Sequence, residues 1–257
     1  MRLAASLIAV LLALTCGGNP AIAHGKETAD PLGSARWKDM ERDFLSDGPV
    51  QFDERVKVIS SGLAENPLQV PITVDATALT GVKEVLVFAD FNPILEILRF
   101  YPESTSAYLG FRAKLQQSSP VRAAAKTADG VWHVGGVWVN TTGGGCTAPS
   151  AASTSSEWQK RLNEVTARTW SEGPMSGRVR LRIIHPMDTG LMAGVPAFHL
   201  EEVVLKDDAG KRLMRLEISQ PVSENPVFTL NRGAVQGSLM VSGRDNNGNM
   251  FDVRVAP

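Results

Sequence analysis

Residues 178–183 read Arg-Val-Arg-Leu-Arg-Ile, and this strict alternation decides the fold class. Side chains of a β-strand point alternately to the two faces of a sheet, so the apolar residues predict a buried face and the arginines a basic outer face. Outward from this strand, Asp-Asp-Ala-Gly at 207–210 and Asn-Asn-Gly at 246–248 predict hairpin turns. The C-terminal part is therefore predicted to be an all-β domain.

The chain before residue 141 shows the same kind of pattern. Its short apolar segments alternate with proline, glycine and asparagine, and they fall at 56–59, 68–74, 82–89, 94–100, 107–115, 121–126 and 131–140. About seven short strands with such punctuation are typical of an Ig-like β-sandwich. A short helix is expected before them, because Trp37, Met40 and Phe44 follow Ser34 at helical spacing.

The composition changes at residue 141 to glycine, serine, threonine and alanine with one proline, which is typical of a flexible linker. A second helix is expected after it, because Ser156 and Gln159 form a capping box and Trp158, Leu162 and Val165 share one helical face. We predict two Ig-like β-sandwich domains, at 34–142 and, with the capped helix, at 157–257, joined by a Gly/Ser/Ala-rich linker at 143–156.

Residues 1–23 have the features of a cleaved secretory signal. Arg2 precedes an apolar run at 3–14 that is too short to span a membrane, and Ala21-Ile22-Ala23 forms a cleavage site. A lipoprotein signal acylated at Cys16 would fit less well, because a large aliphatic residue is expected three positions before the cysteine. We expect a periplasmic protein without a membrane segment after cleavage. The formal net charge of −1 gives no indication of a nucleic-acid partner.

The cysteine count points to one residue. The sequence has two cysteines, and loss of the signal removes Cys16, so that Cys146 cannot form an internal disulfide. It follows Gly143, Gly144 and Gly145, which predict a pliable arm and a mobile, accessible thiol. Such an arm suits a covalent carrier, whereas catalysis needs a base held close to the thiol. We therefore predict a non-enzymatic carrier without a cofactor, with Cys146 as the attachment site.

Two alternatives use other features of the sequence. His185, Met187, Met192 and His199 include Cu(I)-type ligands, although their spacing is irregular and no metal site is the favoured interpretation. A copper-binding or scaffolding accessory protein is one alternative. A thiol-redox enzyme acting through Cys146 is the other, and it requires a nearby base and a lowered thiol pKa.

Both halves of the sequence contain ordered motifs that resemble those of known families. The first half resembles SoxY in Glu65-Asn66-Pro67, Val70-Pro71, Asn92-Pro93 and the glycines before Cys146. The second half resembles SoxZ, and its matching motifs are His185-Pro186-Met187-Asp188-Thr189-Gly190, Pro196-Ala197, Ser223-Glu224-Asn225-Pro226 and Asp245-Asn246-Asn247-Gly248.

The resemblance implies a fused SoxYZ-like thiosulfate carrier whose cysteine holds sulfur intermediates while separate enzymes act on them. In the two-chain carrier the cysteine lies at a free C-terminus, whereas here Thr147-Ala148-Pro149 follows and both ends of the arm are anchored. This arrangement resembles the carriers associated with quinoprotein dehydrogenases. The implied partners are periplasmic oxidoreductases, either Sox-type enzymes or a quinoprotein dehydrogenase system, and a small sulfur-containing cargo.

Overall fold

The computed structural model of the protein describes residues 29–150, 157–171, 176–233 and 237–255. The predicted signal peptide with Cys16 lies outside these residues, as does the linker segment 151–156. The helices in these ranges are α1 (Trp37–Phe44) and α2 (Glu157–Lys160). The strands are β1 (Val50–Phe52), β2 (Lys57–Ile59), β3 (Leu63–Ala64), β4 (Val70–Asp75), β5 (Val82–Ala89), β6 (Glu96–Tyr101), β7 (Tyr108–Ala113), β8 (Ser119–Thr127), β9 (Trp132–Thr141), β10 (Val165–Ser171), β11 (Gly177–Ile183), β12 (Leu200–Asp207), β13 (Arg212–Ile218), β14 (Val227–Arg232), β15 (Leu239–Asp245) and β16 (Met250–Val255).

These strands form two sheets, which confirms the predicted all-β class. The larger sheet has the order β1-β9-β8-β5-β6-β13-β12-β15-β16, with β3 also paired to β9, and the smaller has the order β10-β11-β14-β7-β4-β2. The quoted strand is β11, and its valine, leucine and isoleucine are buried as the alternation predicts. Both predicted hairpin turns are present, and Gly210 and Gly248 take the left-handed conformation there, with φ of +81° and +82°.

The two sandwiches lie side by side and share both sheets. In the larger sheet β6 pairs antiparallel with β13, which places Phe100 opposite Leu216. In the smaller sheet β7 pairs with β14, which places Leu109 opposite Leu230. One buried apolar cluster runs through both halves. Each half thus covers part of a sheet edge of the other.

The N-terminal segment is held against the outer face of the larger sheet. Trp37 and Met40 of α1 are buried there in a second apolar cluster. Arg122 of β8 is buried beside them, and its guanidinium lies 2.7 Å from Asp30 Oδ2 and 3.1 Å from Asp90 Oδ1. The arginine also stacks over the Trp37 ring, 4.7 Å from its centroid. Two carboxylates and one ring therefore compensate the buried charge.

The predicted second helix is wrong beyond its first turn. The helix α2 ends at Lys160, and Val165 begins β10, where it pairs with Ile183. Asn163 between them has φ of +62°, a left-handed conformation that cannot continue a helix. Pairing with the long strand β11 overrides the local helical pattern, because the strand buries Val165 against the common core. No helix in the described residues is long and apolar enough to cross a membrane.

Candidate functional site

The arm that carries Cys146 folds back onto the sandwich. It leaves the end of β9, and the backbone N–H groups of Gly144 and Gly145 donate to the carbonyl oxygens of Gln116 and Leu115 at 2.9 and 3.0 Å. The Cys146 N–H donates to Gln116 Oε1 at 3.2 Å. The Cys146 side chain is 0 % exposed. The predicted accessible, mobile thiol is therefore wrong for this conformation, because the arm is docked by its own backbone hydrogen bonds.

The three glycines allow the backbone conformation and the close packing of the docked arm, in addition to making the chain flexible. Gly143 and Gly144 both have φ of +86°, which side chains rarely tolerate. Gly145 lies in close contact with the backbone, since an added Cβ would stand 2.2 Å from the Pro67 carbonyl oxygen and 2.7 Å from that of Leu115. A glycine run can thus serve close approach as well as flexibility, and the sequence alone does not distinguish the two.

The thiol of Cys146 is a neutral donor in this position. Its Sγ lies 3.6 Å from the Lys114 carbonyl oxygen, to which it donates. Burial raises the pKa of Cys146 from 9.0 to about 11, and the nearby Lys114 ammonium and the hydrogen bond from Gln116 offset only part of that effect. Since the thiolate is the nucleophilic form, the docked cysteine is held in its unreactive state at neutral pH.

Lys114 brings a cation from the first half of the chain to the second. Its side chain is 2 % exposed, and Nζ donates to the carbonyl oxygen of Met187. Burial lowers the pKa of Lys114, while the charges of Asp188, Cys146 and Glu224 act in the opposite direction. Met187 has φ of +55°, so the loop that offers this carbonyl is itself in an uncommon conformation.

The loop at 185–190 clasps the arm from the second half. Thr189 Oγ1 donates to the Cys146 carbonyl oxygen at 2.6 Å. Beyond the cysteine, Ser150 donates to both carboxylate oxygens of Asp188, from its N–H at 2.9 Å and its hydroxyl at 3.2 Å. Both Asp188 and Thr189 are buried. The arm is therefore held on each side of Cys146 by polar contacts with the second half.

Asn92 fixes the floor of the same site. Its amide Nδ2 donates to the Lys114 carbonyl oxygen, and its Oδ1 accepts from the Gln116 N–H, each at 3.0 Å. The sequence motifs contain Asn92, Asp188 and Thr189, but nothing in the sequence placed them around the thiol. Lys114 and Gln116 were missed as site residues, because they follow the end of β7 in a segment that carries no motif.

The four candidate metal ligands differ in burial. His185, Met187 and His199 are buried, whereas Met192 is 40 % exposed on a loop. The Met187 sulfur accepts the Leu200 N–H at 3.4 Å, and His185 Nδ1 accepts the Met187 N–H at 3.2 Å. Burial lowers the pKa of His185 to about 4, with Asp245 opposing the shift. Within the described residues, no group of three or more His, Cys, Asp or Glu side chains could hold a metal ion.

Comparison with known families covers most of the chain. The model of sulfur oxidation protein SoxY matches residues 41–146, and the model of sulphur oxidation protein SoxZ matches residues 172–256. The chain is a fused SoxYZ-like carrier. A solved structure of the sulfur carrier protein SoxY from Chlorobium limicola f thiosulfatophilum is 17% identical, with 42% of this chain and 96% of that chain covered and a TM-score of 0.36. A comparison with curated proteins found no match.

The docked thiol of this SoxYZ-like carrier lies where the two families meet. Cys146 is the last residue of the SoxY match, and Lys114 and Asn92 lie within that match. Thr189 and Asp188, which hold the arm, lie within the SoxZ match. The SoxZ segment thus contributes directly to the surroundings of the SoxY cysteine. The predicted domain limits at 142, 156 and 157 stay predictions.

Proposed function

We propose that this SoxYZ-like fusion is a periplasmic, non-enzymatic carrier that holds a sulfur-containing intermediate covalently on Cys146 and presents it to partner oxidoreductases. The position of Cys146 carries the proposal, since it is the last residue matched to SoxY and the free cysteine of the described chain. Export rests on the signal sequence at residues 1–23. Sox-type enzymes or a quinoprotein dehydrogenase system are the proposed partners.

Loading of a thiosulfate-class anion on Cys146 is a two-electron oxidation. The S–H bond of Cys146 breaks, a bond forms between Sγ and the terminal sulfur of the anion, and one proton leaves to solvent. The two electrons pass to the partner oxidoreductase. The carrier itself supplies only the thiol.

The docked arm adds a condition to this function. A buried thiol with a pKa near 11 reacts slowly with oxidants, so docking protects an idle carrier outside the cytoplasm. Loading requires the arm to leave its site, because only the exposed thiol regains its ordinary pKa. The contacts to be broken are local, and they include the hydrogen bonds of residues 144–146 and the one from Thr189 to the Cys146 carbonyl oxygen. Local opening of this size is possible without global unfolding.

The same geometry disfavours the thiol-redox alternative. A redox-active cysteine needs a lowered pKa and an exposed thiolate, whereas burial raises the pKa of Cys146. A Cu(I)-binding function would need Met192, which is exposed, to act together with His185 and His199, which are buried. Neither alternative is supported by an observation that the carrier function leaves unexplained.

Intact mass tests the proposal. Protein isolated from the periplasm of cells supplied with thiosulfate is expected to contain a species heavier than the mature chain, which dithiothreitol converts to the unmodified mass. The Cys146→Ser variant should lack that species and should fail to support thiosulfate-dependent growth. Recovery of only unmodified or disulfide-linked dimeric chains, together with a harmless Cys146→Ser substitution, would refute it.

A further inference from the structure

A set of unpaired arginines covers the solvent side of the smaller sheet. We define the arginine face as Arg112 of β7, Arg168 of β10, and Arg180 and Arg182 of β11, flanked by Trp170. The register places Arg168 opposite Arg180 and Arg180 opposite Thr229, and Thr229 lies opposite Gly110, two positions before Arg112. Since side chains alternate along each strand, all of these residues project from the same face.

Among the residues that the structure describes, the four arginines have no carboxylate partner. All four are exposed, and their guanidinium groups form no ion pair or side-chain hydrogen bond within the described residues. Most arginines of the larger sheet behave differently, because the side chains of Arg99, Arg212, Arg215 and Arg244 pair with neighbouring carboxylates. Positive charge is thus concentrated on one side of a chain whose formal net charge is −1.

This arrangement costs free energy in the isolated protein. Arg168 and Arg180 are direct cross-strand neighbours, and like charges in that position are destabilising. Glu224 lies beside Arg112 and Arg182 in the same depression and is one nearby carboxylate. Glu164, which feels the charge of Arg182, is already paired with Arg161. An anionic surface placed over the arginines would relieve the remaining repulsion.

The shape of the face favours a protein over a small anion. The arginines lie on three strands, β10, β11 and β7, with β14 between the last two, so that the face is about 14 Å wide at ~4.8 Å a strand. They border two open depressions of about 530 and 500 Å³ and do not converge on one point. Trp170 is 43 % exposed at the flank. Exposed tryptophan and arginine are the residues that contribute most to protein–protein contacts.

The face also lies next to the cysteine site. Arg112 is two residues before Lys114, whose carbonyl oxygen accepts the Cys146 thiol, and two strand residues span about 7 Å. Arg182 is followed, three residues later, by the loop whose Thr189 holds the arm. A protein seated on the arginine face would therefore have Cys146 at the edge of its footprint.

We infer that the arginine face is the docking surface for an acidic patch on the partner oxidoreductase that loads or unloads Cys146. The inference rests on the proposed carrier function for the identity of the partner, and on the unpaired arginines for the surface. Docking here brings the partner's active site to the cysteine arm, and charge complementarity accelerates the encounter.

The first experiment measures loading by a periplasmic extract of the source organism. The full exported chain is incubated with extract and thiosulfate, and the initial rate of adduct formation on Cys146 is followed by intact mass. Arg168→Glu with Arg180→Glu is expected to lower the rate at least about tenfold at low salt, and the wild-type rate is expected to fall steeply between about 20 and 200 mM NaCl. Lys83→Glu with Arg254→Glu is the control with the same charge change elsewhere, and it should load within about twofold of wild type.

The second experiment separates the surface from the carrier chemistry. Immobilised Cys146→Ser chain, which cannot be loaded, is expected to retain an identified oxidoreductase of acidic pI that high salt elutes, and the same chain with Arg168→Glu and Arg180→Glu should not retain it. Retention without wild-type loading would refute the carrier function and keep the docking surface. Loading at equal rates by all variants, or no retention, would overturn the inference. Saturable binding of thiosulfate to the Cys146→Ser chain, lost in the arginine variant, would also overturn it in favour of a small-anion site.

Discussion

The Thr189→Val substitution should release the cysteine arm. Thr189 Oγ1 donates to the Cys146 carbonyl oxygen at 2.6 Å, and both residues are buried. Valine keeps the volume of the side chain but leaves that carbonyl without its partner, which costs roughly 1–3 kcal/mol. Because about 1.4 kcal/mol corresponds to a factor of ten, the population of undocked arm should rise between about 5-fold and 150-fold.

Alkylation of Cys146 by an excess of iodoacetamide at pH 8 measures this population. When the arm closes faster than it is alkylated, the observed rate equals the opening equilibrium multiplied by the rate of the free thiol. Thr147→Val is the matched control, since the Thr147 hydroxyl makes only exposed contacts at 3.4 and 3.5 Å on the same arm. It should change the rate less than about twofold, as exposed hydrogen bonds contribute little net free energy.

Global unfolding must be excluded as the route of exposure. The rate is therefore measured at several urea concentrations below the unfolding transition, where local opening gives a much smaller urea dependence than global unfolding. Equal alkylation rates for wild type, Thr189→Val and Thr147→Val would refute the clasp, and a wild-type rate equal to that of the unfolded chain would refute docking itself.

Three further predictions concern the arm and the fold. Gly145→Ala should raise the alkylation rate of Cys146 at least about tenfold, because the added Cβ would stand 2.2 Å from a backbone carbonyl oxygen. Gly62→Ala, whose Cβ would have no atom within 4 Å, should leave that rate unchanged. Cys146 has a higher pKa in the docked arm than in the free arm, so the stabilisation of the docked state is complete below pH 9.0 and is lost as the pH rises toward 11. The alkylation rate of the native protein should therefore rise up to about pH 11. A plateau of that rate near pH 9 would contradict the burial. Arg122→Met should lower the free energy of unfolding, measured in urea, by about 3–5 kcal/mol, because it leaves two carboxylates without their cation. Arg55→Met, at an exposed ion pair, should lower it by less than about 1 kcal/mol. Equal losses would argue against the buried cluster.

The local pattern of the sequence was sufficient for the strands and their faces. Alternation in β11 predicted its buried and basic sides, and the turn residues at 207–210 and 246–248 predicted hairpins that the structure contains. These features depend on side-chain direction and backbone conformation within a few residues, which the sequence displays directly. Cys146, the cysteine outside the predicted signal peptide, and the glycines before it could be identified for the same reason.

What the sequence could not decide depends on residues that are distant along the chain. Gly145 read as part of a tether, and only the carbonyl oxygens of Pro67 and Leu115 show that it is a point of close approach. The residue that holds the arm, Thr189, lies 43 positions from Cys146.

The alternation in β11 predicted a basic face on that strand, but neither it nor the formal charge of −1 showed which other arginines share that face. The pairing of β7, β14, β11 and β10 brings Arg112 onto the same face as Arg168 and Arg180. The sequence by itself therefore determined which residues form strands and which cysteine follows the glycine run. Tertiary structure decided whether that thiol is exposed and where charge accumulates, because burial and electrostatic potential arise from neighbours in space and not from neighbours along the chain.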